Sequence, residues 1–181
     1  SERSTISPTK SILGKRRGVS FMEGCNEIEN YSLLNYIHEG VYGAVYRAKD
    51  KETGQIYAIK KVKFFHQQEG FPITSLREIN LLKSLHHPNI ISIKEVVKGK
   101  SLNEIFLVTD YADHELRHLL QSSRHRLCVA EVKYLMKQLL EAVSYMHSKD
   151  IVHRDLKTSN LLYNKEGLLK VCDFGLSRRI P

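Results

Sequence analysis

The chain reads as an α+β fold of two unequal lobes, and three observations predict it. Short runs rich in Val, Ile and Tyr, broken by glycines, fill residues 31–109 around one helical stretch. Helical periodicity takes over after residue 115. Strands followed by helices, without a strict alternation, belong to the α+β class.

The elements follow in order. Residues 31–37, 44–48 and 56–62 are strands, with Asp50-Lys51-Glu52-Thr53-Gly54 as the turn between the second and third. Residues 73–85 form a helix, because Leu76, Ile79 and Leu82 recur every third position, and His87-Pro88-Asn89 stops it. Strands at 90–97 and 105–109 and a short helix at 115–121 come next. The longest helix spans 129–148, with Val132, Leu135, Met136, Leu139, Val143 and Met146 on one expected core face. Residues 1–24 show no period and are rich in Ser, Lys, Arg and Gly, the composition of a disordered arm. That divides the chain into an arm at 1–24, a strand-rich lobe at 25–111 and a helical lobe at 112–181.

The arm holds +4 of the net charge of +8, from Arg3, Lys10, Lys15, Arg16 and Arg17 against Glu2. The basic character is therefore half a tail property, and no basic stripe with stacking aromatics marks a nucleic-acid surface. Gly14-Lys15-Arg16-Arg17 reads as an import signal or a solvated tail, and Ser7-Pro8-Thr9-Lys10 as a proline-directed phosphorylation match. No run of 18 apolar residues is present to span a membrane, and no secretory signal pattern opens the chain. Cys25, Cys128 and Cys172 lie far apart, which argues against a disulfide framework and for a reducing compartment, nucleus or cytoplasm.

Four constellations carry chemistry. They are Ile37-His38-Glu39-Gly40-Val41-Tyr42-Gly43-Ala44-Val45, then Tyr57-Ala58-Ile59-Lys60, then His153-Arg154-Asp155-Leu156-Lys157-Thr158-Ser159-Asn160, and finally Asp173-Phe174-Gly175. Each alone is common; together, in this order, they resemble the signature set of the protein kinases. Pro72-Ile73-Thr74-Ser75-Leu76-Arg77-Glu78 further resembles the heptapeptide that names the PITSLRE branch of the cyclin-dependent kinases. The resemblance runs from about residue 31 to 179 and implies a bilobal kinase-like fold. Its small lobe would be complete, with a five-stranded antiparallel sheet and one helix, and only the first part of the helical lobe would follow.

The resemblance implies ATP and Mg²⁺ as cofactors, Ser/Thr (Ser/Thr-Pro) protein substrates, and a cyclin-like subunit docking on the helix that carries Glu78. Backbone N–H groups at Gly40 and Gly43 would approach the phosphates, and Ile37, Val45, Ala58 and Leu162 would enclose the adenine. His38 replaces the loop's first glycine, from which weaker or stiffer loop closure is expected. Lys60 would pair with Glu78 and hold the α- and β-phosphates. Asp155 would be the catalytic base, with Lys157 as the serine/threonine-kinase mark beside it, while Asn160 and Asp173 would ligate the metal. Backbone groups of Asp110 and Ala112 would hold the base, Glu115 the ribose, and Thr109 would guard the back pocket. His153 and Phe174 would stack with Leu82 and Ile93 between the lobes. Cys172 faces the nucleotide as a candidate for covalent trapping, and Tyr42 matches an inhibitory phosphorylation position whose usual preceding Thr is Val41.

A competing pattern, His114-Glu115-Leu116-Arg117-His118, satisfies the zinc peptidase motif, but Gln121 and Arg124 stand where its extended form needs Gly and His. The sequence stops at Pro181, shortly after Asp173-Phe174-Gly175. These 181 residues alone are therefore expected to be inactive, as the front part of a longer enzyme or as a nucleotide- or cyclin-binding fragment.

Overall fold

The computed structural model describes residues 24–40, 43–62, 73–101, 104–122 and 126–180. The basic arm with its Ser-Pro and Lys-Arg motifs, Val41 with Tyr42, and Gly70, Phe71 and Pro72 lie outside the described residues.

Five antiparallel strands make the first lobe: β1 (Tyr31–Gly40), β2 (Gly43–Asp50), β3 (Ile56–Lys61), β4 (Ile93–Lys98) and β5 (Ile105–Asp110), in the order β1-β2-β3-β5-β4. Asp50 closes the β2–β3 turn by accepting the N–H groups of Glu52 and Thr53 on Oδ1, and Gly54 takes φ +74° there. Strand alternation divides the sheet's side chains. Ala48, Ile59, Phe106, Val108, Val97 and Tyr31 form one buried cluster, and Ile28 with Tyr57 packs against it. The opposite face looks into the cleft, and helix α1 (Ile73–Ser84) packs beside it through Glu78, Ile79, Leu81 and Leu82.

The second lobe holds β6 (His114–Glu115), α2 (Leu116–Gln121), α3 (Val129–His147), β7 (Ile151–Val152), β8 (Leu161–Tyr163), β9 (Leu169–Val171) and β10 (Arg178–Arg179). These strands of two or three residues are too short to leave a period in sequence, and pairing with one another defines them: β6-β8-β9 and β10-β7. Their hydrogen bonds fold the polar loops between them back on themselves.

Two expectations shift. Strand β4 starts at Ile93 rather than at residue 90, because Ile90 and Ile91 are bonded to the other lobe: Ile91 N–H donates to Val171 C=O at 2.9 Å, and Val171 N–H to Asn89 C=O at 2.9 Å. The core face of α3 is also rotated from the expected stripe. Val132 and Met136 are exposed, while Leu135, Leu139, Val143 and Met146 face the core together with Ala142 and Gln138. Gln138 is polar, so hydrophobic periodicity could not assign it.

Gln138 is the reason α3 sits where it does. Its Oε1 accepts Asn89 Nδ2–H at 2.8 Å and the Leu169 N–H at 2.9 Å, and its Nε2 donates to Gly167 C=O at 3.0 Å. Asn89 Nδ2 also donates to Leu169 C=O at 2.8 Å. Helix α3, the segment after α1 and strand β9 thus share one buried, satisfied network. Gln138→Leu leaves the Leu169 N–H without its acceptor and removes one of the two acceptors of Asn89 Nδ2. Chemical denaturation should show a loss of about 1–3 kcal/mol, against no change for the exposed Lys137→Ala.

Candidate functional site

Lys60 lies on β3, in a cross-strand row with Val45 and Leu107. Ala58 lies in the next row, between Arg47 and Thr109. Cross-strand partners share a face, so Val45, Ala58, Lys60 and Thr109 all look into the cleft. Lys60 Nζ donates to both carboxylate oxygens of Glu78 on α1, at 2.9 and 3.0 Å. Glu78 is 6% exposed. A carboxylate that deep needs a cation, and truncating Lys60 would take away the one it is paired with.

The floor of the cleft comes from the second lobe. Glu115 pairs with Leu162 across β6 and β8, and Leu162 pairs with Lys170 on β9. The connection between the lobes runs through Asp110, Tyr111 and Ala112. The Asp110 carboxylate accepts Lys170 Nζ at 2.9 Å and the Ser92 N–H at 3.2 Å, ties that no sequence motif announces. Arg47 lies 5.3 Å from the Tyr111 ring centroid.

The two late motifs are folded against each other. Asp155 Oδ2 accepts Lys157 Nζ at 2.8 Å and Asn160 Nδ2 at 2.9 Å. The lysine first, then the asparagine, holds the Asp155 carboxyl below the usual carboxylate range against the opposing effect of desolvation. Asn160 Nδ2 also donates to the Asp155 carbonyl at 2.8 Å, so the asparagine's carbonyl oxygen faces away from that contact. His153 clamps the pair of motifs. Its Nε2 sits 3.0 Å from the Cys172 carbonyl oxygen and must carry the proton, leaving Nδ1 to accept the Asp155 N–H at 3.3 Å. Burial lowers its pKa, which suits that neutral tautomer. The ring meets Phe174 edge-on at 4.9 Å, and Phe174 packs in one core with Leu82 and Ile93.

Arg154 and Asp173 both adopt positive φ, 66° and 62°. Such backbone costs roughly 1–3 kcal/mol per residue and persists only where its surroundings enforce it. Arg154 is held by its Nε–H to Leu176 C=O at 2.7 Å, and Asp173 by the Gly175 N–H at 3.4 Å.

One thiol shows that these groups converge. Cys172 feels the charges of Asp173, Lys60, Glu115 and Glu78, which come from both lobes. His153 in turn feels Asp173, Asp155 and Lys157. The Lys60–Glu78 pair, Glu115 and Asp173 thus lie in the neighbourhood of Cys172, and the Asp155–Lys157–Asn160 group is tied to the same segment through His153. Ile37 and Gly40 lie on β1 and Gly43 begins β2, the last with φ +137°, a value that favours glycine. His38 sits in paired strand without a positive φ, so the glycine freedom expected at that position is not required there.

The zinc pattern does not assemble. His114 lies in β6, its ring 5.2 Å from that of Tyr163, whereas His118 lies in α2, so the two imidazoles do not share a helix face. Among the described residues no group of three His, Cys, Asp or Glu side chains is placed to hold a metal ion. Mg²⁺ asks for less: one or two carboxylates, an amide oxygen, and the oxygens of water and phosphate. Asp173 with Asn160 fits that donor set.

A family model described as a protein kinase domain matches residues 31–181. The chain belongs to the protein kinase family. This kinase chain is 53% identical over 163 residues to cyclin-dependent kinase G-2 of Oryza sativa subsp. indica, covering 90% of the chain and 23% of the rice protein. It is 51% identical over 160 residues to the serine/threonine-protein kinase PITSLRE of Drosophila melanogaster, covering 87% and 17%. Cyclin-dependent kinase 11A of Homo sapiens is 49% identical over 157 residues, covering 87% and 20%. The chain spans about a fifth of the length of these curated relatives. No described helix is long and apolar enough to cross a membrane.

Two measurements test the electrostatics. Removing the cation in Lys157→Met should raise the pH at which Asp155 protonates toward the ordinary carboxylate value, read from its side-chain ¹³C shift. Burial first, then the Asp173 charge, pushes the Cys172 thiol up to about 12. The thiol form therefore dominates at neutral pH. Iodoacetamide should modify exposed Cys128 and leave Cys172 unmodified; labelling of Cys172 would keep it a candidate for covalent trapping.

Proposed function

We propose that the protein containing this chain transfers the γ-phosphoryl group of ATP to Ser or Thr hydroxyls of protein substrates. The observation that carries the reading is the convergence of Lys60–Glu78, Asp155–Lys157–Asn160 and Asp173 on one cleft. Ile37, Val45 and Ala58 above and Leu162 below enclose the base. Main-chain groups of Asp110 and Ala112 bind its edge, and Glu115 meets the ribose. Backbone N–H groups at Gly40 and Gly43 and the Lys60 ammonium bind the phosphates, with Glu78 fixing the ammonium. Asn160 and Asp173 would hold Mg²⁺, which would supply positive charge for the oxygens of the transferred group. Asp155 accepts a hydrogen bond from the substrate hydroxyl and takes its proton as the oxygen attacks phosphorus and the bond to ADP breaks. Lys157 keeps that carboxylate ionised and lies close enough to neutralise the moving phosphoryl group.

Preference for Ser or Thr followed by Pro, and a cyclin-like partner docking on α1, are supported by the PITSLRE heptapeptide and by relatives that are named cyclin-dependent kinases. Ile73, at the start of α1, is 70% exposed and offers an apolar contact for that partner.

Thermal denaturation with ATP–Mg²⁺ tests the site in the 181 residues. Ligand at 100 times Kd should stabilise the chain by about 2.7 kcal/mol. Lys60→Met should abolish most of the effect, and Asp173→Asn should remove its dependence on Mg²⁺. Stabilisation that survives both substitutions sinks the reading. In the longer protein, phosphate transfer should be lost in Asp155→Asn.

A further inference from the structure

Simple strand alternation would put His38 on the same face as Tyr36, two residues earlier. Tyr36 belongs to the outer face, where its ring meets Tyr46 edge-on at 5.8 Å, in register with Ile59 and Val108. The register breaks between them. Tyr36 pairs with Tyr46 and His38 pairs with Val45, leaving Ile37 as an extra residue on β1. In such a bulge two residues oppose one, and every later side chain changes face. His38 therefore joins the row Val45–Lys60–Leu107, on the cleft side of the sheet, two strands from the Lys60 ammonium. Two strand spacings are about 10 Å, a distance that a nucleotide's ribose and phosphates bridge.

We propose that His38 is an additional nucleotide contact, a side chain on the roof of the cleft that binds the ribose–phosphate part of the ligand and does so more tightly when its imidazole is protonated. The inference rests on the nucleotide-site reading above. Imidazole is the side chain whose charge ordinarily changes between pH 5 and 8, and His38 is exposed. On the same face are Lys60, engaged with Glu78, and Arg47 one row toward Tyr111. Across the cleft lie Asp155, Lys157 and Asp173. Glu39 follows on β1 with its side chain alternating to the other face. A cation at 38 adds to the attraction of Lys60 for an anionic ligand, whereas the relief of conformational freedom that a glycine would offer is not needed at this paired position.

The experiment is calorimetric titration of the 181-residue chain with ADP–Mg²⁺ and with adenosine, at pH 6 and pH 8, for the wild type, His38→Gln and His38→Lys. Comparing each variant with wild type at one pH cancels the ligand's own ionisation. The wild-type advantage over His38→Gln for ADP should grow by about two- to fivefold from pH 8 to pH 6, with no such growth for adenosine. His38→Lys should bind ADP at both pH values at least as tightly as the wild type does at pH 6. A wild-type to His38→Gln ratio that does not change with pH, or one that changes equally for adenosine, overturns the inference while leaving the nucleotide site standing. Failure of the wild type to bind either ligand overturns the nucleotide-site reading, and this inference with it.

Discussion

The buried ion pair between Lys60 and Glu78 is the constraint on which the rest of the cleft depends. The Glu78 carboxylate without its cation would carry a desolvation cost of several kcal/mol. Together they fix the distance between strand β3 and helix α1. With α1 held, Leu81, Leu82 and Leu85 are presented to Phe174, Ile90 and Met146, and the core that spans both lobes closes around them. A pair of opposite charges thus sets the position of an apolar cluster far larger than itself.

The second lobe is attached to the first by polar groups that are all partnered. The Asn89–Gln138–Leu169 network, the main-chain bonds between Asn89, Ile91 and Val171, and the Asp110–Lys170 pair join α3, β9, the segment after α1 and the connection between lobes. Strand β9 leads two residues later to Asp173, and His153 ties the following Cys172 carbonyl to Asp155. The metal-binding and proton-accepting candidates therefore inherit their positions from one continuous set of hydrogen bonds. The Asn89–Gln138–Leu169 part of that set is buried with its partners satisfied, which favours one arrangement over others.

Much of this was legible before any coordinates. The five strands and three helices were recognisable from β-branched runs, turns such as Asp50–Gly54 and three-residue apolar spacing. The candidate residues were legible because their chemistry limits the usable side chains at each motif position. Less legible were β6 through β10, which have two or three residues each and take their definition from partners distant in sequence. Gln138 was hidden because a buried amide looks like a surface residue in a hydrophobicity pattern. The face taken by His38 was hidden for a related reason: the motif stresses glycine, and only the register shift at Ile37 reveals on which side of the sheet residue 38 lies.

Sequence by itself determined the class of fold, the family and the identity of the reactive groups, because those follow from periodicity and from which side chains can ionise, ligate or pair. Only the tertiary structure decided that Lys60 meets Glu78, that His153 ties the Cys172 carbonyl to Asp155, that burial pushes the Cys172 thiol up and that α3 turns Gln138 inward. Those outcomes depend on burial and on contacts between segments distant in sequence, and no local pattern encodes them.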